Sequence, residues 1–225
     1  DPLSLSYKSG DGYHSSALGK TNQMAVFIDS GGRCYSLPAH TLPSARGHGE
    51  PLSSRLKVTG GATFAGVMAG DPEQLYLLAT DAGYGLVVKL GDIITRTKAG
   101  KAVLNVPKGA KVLQPQLVED MDKEWVAVAT NTGHLLVFPL AELPQMNKGK
   151  GVKMLNIPTK RVQERAEYLA DVAVLADESQ LIVYAGQRHR VFKPDDLEHY
   201  TDERARRGLK LPKGYQKVRA LERSD

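Results

Sequence analysis

Four stretches of this chain repeat one plan, and that repeat constrains the fold more than any other feature. VFIDSGGRCYSL, LLATDAGYGLVVKL, VAVATNTGHLLVFPL and LIVYAGQRHRVFKP each join an apolar run, a turn containing glycine and a second apolar or alternating run. That pattern is the signal of a β-hairpin. The turn glycines Gly32, Gly83, Gly133 and Gly186 lie 51, 50 and 53 residues apart. After each hairpin comes a short cap (HTLP, GDII, AELP, DDLE), then a loop rich in Gly, Lys and Arg. Each loop leads into a further short strand: RLKVTGG, AVLNVPKG, KMLNIPTK and LKLPKG.

Units of about 40 to 50 residues built of short strands point to blades set in a ring, where closure limits exposed strand edges. The opening residues LSYKSGDGYHSSALGKTN match only the last part of the plan, with Gly10 in the place of Gly61 and Gly109. The chain is therefore read as a fragment of a longer polypeptide that opens inside a repeat. The expectation is one all-β domain over 1–225, propeller-like, with about five four-stranded blades and the ring either closed or open. Its units are 1–22 (partial), 23–70, 71–121, 122–172 and 173–225. A modest helix is expected only at 160–172 (KRVQERAEYLADV). An ordinary β-sandwich of duplicated hairpins is the competing architecture.

Hydrophobic residues at 41% supply enough apolar surface for a core, which argues against intrinsic disorder. No apolar run approaches the roughly 18 residues of a bilayer span, and the start has no signal-peptide pattern. The single Cys34 excludes an internal disulfide framework and fits a reducing compartment, so a cytoplasmic location is expected.

Charge is segregated by position in the repeat. Residues 44–57 hold Arg46, Arg55 and Lys57 against Glu50, and residues 96–101 hold Arg96, Lys98 and Lys101. Residues 147–153 hold Lys148, Lys150 and Lys153, and residues 203–210 hold Arg204, Arg206, Arg207 and Lys210 against Glu203. The four loops together carry +11 while the whole chain is +5, so everything outside them nets −6. A ring repeats each loop at one place on every blade, which predicts a basic belt along the rim. Such a belt can displace the counterions condensed on duplex DNA, and the glycines among the lysines let backbone N–H groups approach phosphate. With no aromatic residue in these loops to stack on unpaired bases, the expected partner is double-stranded DNA, bound without base readout and bent. The rival reading is a protein-interaction propeller, whose mark would be an exposed apolar or aromatic cluster.

No catalytic constellation is legible. ALGKT (17–21) ends like a phosphate-binding loop, but the first glycine of that motif would fall at His14. The six histidines are scattered, and none pairs with Cys34 or a carboxylate at metal-ligand spacing. His48, between two glycines in a basic loop, suits a phosphate contact or an exposed turn equally. Cys34 and Trp125 are expected in the core, and no metal site is expected.

TLPSARGHGEPL (41–52), TDAGYGLVVKLGDI (80–93) with RTKAGKA after it, LPQMNKGKG (143–151), and GQRHRVFKPDDL with ERARRG resemble the gyrase A and ParC C-terminal domain family of bacterial type IIA topoisomerases. The resemblance covers nearly the whole chain, in order and at the right spacing. It implies a β-pinwheel, a propeller-like ring with different strand connections, attached after the DNA-cleaving core of the parent subunit. It also implies a basic outer surface that engages the transported DNA segment and tunes preference among substrates (decatenation, supercoil relaxation). The implied partners are DNA, the parent core and ParE, with the isolated domain monomeric and the setting bacterial, cytoplasmic and nucleoid-associated. The domain itself would need no cofactor, ATP and magnesium serving elsewhere in the parent enzyme. QMNKGKG (145–151) keeps Gln145, Gly149, Lys150 and Gly151 of the gyrase box QRRGGKG but lacks its paired arginines, which favours the topoisomerase IV side of the family. The family's catalytic tyrosine follows an arginine; none of the nine tyrosines here does, so the nucleophile is expected upstream.

Overall fold

The structure, a computed structural model, describes residues 4–225. Its frame is four antiparallel hairpins: β1 (Met24–Asp29) with β2 (Arg33–Pro38), β4 (Leu75–Ala79) with β5 (Tyr84–Lys89), β8 (Trp125–Thr130) with β9 (His134–Pro139), and β12 (Gln180–Ala185) with β13 (Arg188–Phe192). These are the four hairpins expected from the repeat. β-branched and aliphatic residues dominate them, as suits pleated strands packed on both faces. The first turn shows how local residues set the bend. Asp29 Oδ1 accepts hydrogen bonds from the N–H groups of Gly31 (2.9 Å) and Arg33 (3.0 Å), and the Tyr35 hydroxyl donates to Oδ2 at 2.7 Å. Gly32 then takes φ +84°, and a Cβ there would lie 1.8 Å from the Leu104 carbonyl oxygen, so only glycine fits.

Each hairpin gains an inner strand from its own repeat: β3 (Phe64–Ala69) on β1, β7 (Gln116–Val118) on β4, β11 (Leu169–Leu175) on β8, and β15 (Val218–Ser224) on β12. These strands line a central cavity of about 650 Å³ through Ala65, Gln116, Ala170, Asp171 and Leu221. The outer strand of each of the first three blades comes from the following repeat. β6 (Lys101–Ala102) pairs with β2, β10 (Val152–Lys153) with β5, and β14 (Leu209–Lys210) with β9. The short strands expected after the basic loops are thus real, but they complete the preceding blade instead of their own. Handing a strand back to the neighbour is the connection that distinguishes a pinwheel from a propeller.

Four sheets result, three of four strands and the last of three, against the expected five or so blades. Residues 4–22, read as a partial unit, form no strand. The turn of the fourth blade also differs from the other three. In blades 1 to 3 the turn-glycine carbonyl accepts an N–H from the incoming segment: Gly32 from Leu104 (2.9 Å), Gly83 from Met154 (2.6 Å), Gly133 from Leu211 (2.8 Å). In blade 4 a tighter turn pairs Ala185 with Arg188, and the Gly186 carbonyl is taken by Arg219 Nε at 3.0 Å.

Buried aliphatic clusters join blade 1 to blade 2 (Ile28, Met68, Leu78, Val88), blade 2 to blade 3 (Leu77, Val87, Val128, Phe138) and blade 3 to blade 4 (Leu135, Leu175, Val183, Phe192). Among the described residues no such cluster joins blade 4 to blade 1, and the ring is open. Instead, loop residues Leu42, Leu52 and Leu56 pack on the free side of blade 1 around Tyr35 and Leu37.

Three short helices complete the frame: α1 (Leu90–Ile93), α2 (Thr159–Gln163) and α3 (Pro194–Glu198). The helix expected over 160–172 shrinks to α2. Arg165 takes φ +56°, and from Leu169 onward the chain pairs with β8 as β11, where Leu169, Val172 and Val174 fill the blade 2–3 core. Helical periodicity there loses to tertiary burial. Cys34 is fully buried as expected, whereas Trp125 is half-buried and donates its indole N–H to Asp177 at 2.7 Å.

Candidate nucleic-acid interface

Strand exchange sets the geometry of the basic loops. The second, third and fourth leave the ends of their own hairpins and cross the outer edge of the preceding blade, so their cations stand on a neighbour's rim. Lys101, Lys153 and Lys210 lie on the outermost strands of blades 1, 2 and 3. Gly151 makes the crossing possible: at φ +81° its missing Cβ would sit 2.2 Å from the Gly85 carbonyl oxygen. The first loop folds over blade 1, where the Lys57 N–H donates to the Lys98 carbonyl at 2.9 Å and joins two basic loops into one surface.

The thirteen cations expected at the rim divide into two groups. Arg46, Lys57, Arg96, Lys98 and Lys148 are exposed and make no side-chain hydrogen bond or ion pair among the described residues. Lys150 is exposed, with Nζ 4.3 Å from the centre of the Tyr84 ring. The others are engaged by partners within the chain. Arg55 donates to Thr41 at 3.0 Å (carbonyl) and 2.7 Å (hydroxyl). Lys101 donates to the Asp92 carbonyl at 2.8 Å, and Lys210 to the Thr132 carbonyl at 2.6 Å. Arg204 donates to the Lys153 carbonyl at 2.7 Å, Lys153 reaches Asn156 at 3.3 Å, and Arg206 pairs with Glu203 at 2.8 Å.

Arg207 is the most committed of these. Its Nη2 straddles both carboxylate oxygens of Glu167, at 2.5 and 2.7 Å, and the Glu167 side chain is 0% exposed. Thr132 also donates its hydroxyl to this carboxylate, and Arg161 lies 3.6 Å away. Burial pushes the Glu167 carboxyl upward, but the hydrogen bonds from Arg207 and Thr132 outweigh it and hold the group below the ordinary range. A second such pair, Arg165 on the buried Asp81 at 2.7 Å, ties the segment leading into β11 to the turn of blade 2.

Two cations at the rim lie outside the loops. Because blade 4 receives no outer strand, β13 is its outer edge, and Arg188, His189 and Arg190 on it are exposed. Arg190 packs over Phe192 and Tyr215, 5.3 and 5.8 Å from the ring centres. The RHR triplet is visible in the sequence, but it reads as hairpin interior unless the missing fourth strand is known.

An open ring of antiparallel blades with exchanged outer strands and cations along the rim defines a β-pinwheel domain. The DNA gyrase C-terminal domain, beta-propeller family matches residues 74–119 and 124–176. The A subunit of DNA topoisomerase 4 from Pseudomonas aeruginosa is 53% identical over 221 residues, covering 98% of this chain and 29% of that protein. The corresponding protein from Escherichia coli K12 is 40% identical over 222 residues, 99% of this chain and again 29% of the relative. The solved structure of the E. coli ParC C-terminal domain superposes with a TM-score of 0.87 at 39% identity, covering 100% of this chain and 90% of that one. The chain belongs to the gyrase A and ParC C-terminal domain family, within the branch formed by the A subunits of DNA topoisomerase 4. It spans about three-tenths of the length of the proteins it matches.

Proposed function

We propose that this domain binds duplex DNA along its outer rim without reading its sequence, bends it, and so tunes which DNA crossings the parent topoisomerase acts on. One observation carries the reading: the exposed cations of the first three loops stand together on the segments that cover or cross the outer edges of blades 1 and 2. Arg46, Lys57, Arg96, Lys98, Lys148 and Lys150 make the phosphate contacts, extended by Arg188 and Arg190 on blade 4. The committed cations Arg55, Lys101, Lys153, Arg204, Arg206, Arg207 and Lys210 hold the loops in place and contribute field more than contact. A track of cations on a convex edge favours a bent duplex, since curvature brings more phosphates within reach.

The domain does no chemistry of its own. In the parent enzyme the cleaving tyrosine precedes this segment, ATP and magnesium act elsewhere, ParE is the partner protein, and the site of action is the bacterial nucleoid. No helix among the described residues is long and apolar enough to cross a membrane. The test is Lys148→Ala with Lys150→Ala. Affinity should fall about equally for all sequences, and the slope of log affinity against log salt should drop by up to roughly two. Unchanged affinity and slope would remove this loop from the interface.

A further inference from the structure

A pocket of about 420 Å³ opens between blades 3 and 4, at the end of the ring where β8 begins. Its size falls in the roughly 300–1,000 Å³ range of ligand sites. The floor is apolar: Val137, Leu175 and Leu197 are buried, and the Trp125 indole forms one wall. Two carboxylates stand at its mouth. Asp177 accepts the Trp125 N–H through Oδ1, leaving Oδ2 unused, and Glu198 has no side-chain partner among the described residues. No cation lines it.

The pocket exists because the blade 4 cap differs from its neighbour. At the blade 2–3 junction the cap after β9 carries Leu140 and Leu143, 0% and 2% exposed, and both fill the interface. At the blade 3–4 junction the cap is α3, which opens on Pro194, whose ring cannot reach inward as a leucine does.

We infer that this pocket is a docking site for a basic, apolar-flanked peptide segment of a partner protein. One arginine or lysine side chain lies over the Trp125 indole, its charge between Asp177 and Glu198 and the flanking apolar residues on Leu175 and Leu197. Charge complementarity selects this occupant. An aromatic wall attracts a cation at its face, and two carboxylates over an apolar floor repel nucleic acid and acidic peptides alike. No cation assigned to the DNA rim lines the pocket, so its test does not depend on that reading.

Trp125 is the chain's only tryptophan, so its emission reports the pocket directly. The probe is an acetylated, amidated pentapeptide of arginine flanked by two leucines on each side, titrated into the 225-residue chain. The expected result is a saturable emission change that weakens at least about fivefold when citrulline replaces the arginine and vanishes when glutamate does. Asp177→Asn and Glu198→Gln should each weaken binding about two- to fivefold, as for exposed ion pairs. Pro194→Leu should fill the pocket and abolish the response while thermal unfolding remains cooperative. No response at millimolar peptide would overturn the inference, as would equal affinity for the citrulline peptide. Displacement of the peptide by duplex DNA would overturn it too, because it would merge the pocket with the rim.

Discussion

Replacing Arg207 separates the two roles a rim arginine can play. In Arg207→Met the apolar stem is retained and the guanidinium removed. The fully buried Glu167 carboxylate then keeps only the Thr132 hydroxyl and Arg161 at 3.6 Å. Breaking a wholly buried pair costs about 3–5 kcal/mol, and a charge-assisted hydrogen bond alone about 1.5–3 kcal/mol. The Arg207 side chain is 39% exposed, so solvent already screens part of the attraction, and the lower range applies: about 2 kcal/mol. For a domain of this size that lowers the melting temperature by about 4–8 °C. Urea unfolding followed by Trp125 emission measures it, with Lys148→Ala as the exposed control expected to change stability by less than about 0.5 kcal/mol. The sign with pH follows from the depressed Glu167 carboxyl. Its contribution is fully present above the ordinary unfolded value of about 4.3 and is lost as pH falls through the lower folded value, so the gap between variant and parent should close in acid. If Arg207→Met matched the parent in stability but bound DNA more weakly, the assignment of Arg207 to the scaffold would be refuted.

Three further outcomes follow from the same geometry. Gly151→Ala forces a side chain into left-handed backbone against the Gly85 carbonyl and should cost about 2–4 kcal/mol, with faster hydrogen exchange at Val152 and Lys153; protection at the parent level would mean that β10 does not depend on this crossing. The Cys34 thiol is pushed up to about 12 by burial and then by the Asp29 charge, so alkylation in mild base should proceed only on unfolding; rapid labelling of the native chain would contradict that burial. Arg188→Ala with Arg190→Ala should weaken duplex binding with little change in stability; an unchanged affinity would confine the phosphate contacts to blades 1 and 2.

The hairpins are legible in the sequence because period-two apolar runs and turn glycines are local signals, and the glycine at each turn takes a positive φ. Strand exchange is not, because β6, β10 and β14 are two residues long and their pairing partner lies roughly 70 residues back in the chain. The same blindness affects the site. Charge counting finds the loops that reach the rim, but nothing in ERARRG distinguishes Arg207, bound to a buried glutamate 40 residues away, from a free cation. Arg188 and Arg190 escape notice for the converse reason, since an edge strand is recognised only by the absence of its neighbour. The first residues of β11, which fall in the stretch read as a helix over 160–172, show a local propensity overruled by burial between blades 2 and 3.

Whether the rim binds duplex by its unpartnered cations is tested most directly by affinity across a salt series, using two short duplexes of unrelated sequence. The eight exposed cations assigned to phosphate contact predict a slope of log affinity against log salt of about −7, equal for both sequences. A flat dependence, no binding, or a strong preference for one sequence would contradict a rim that works by phosphate contact alone.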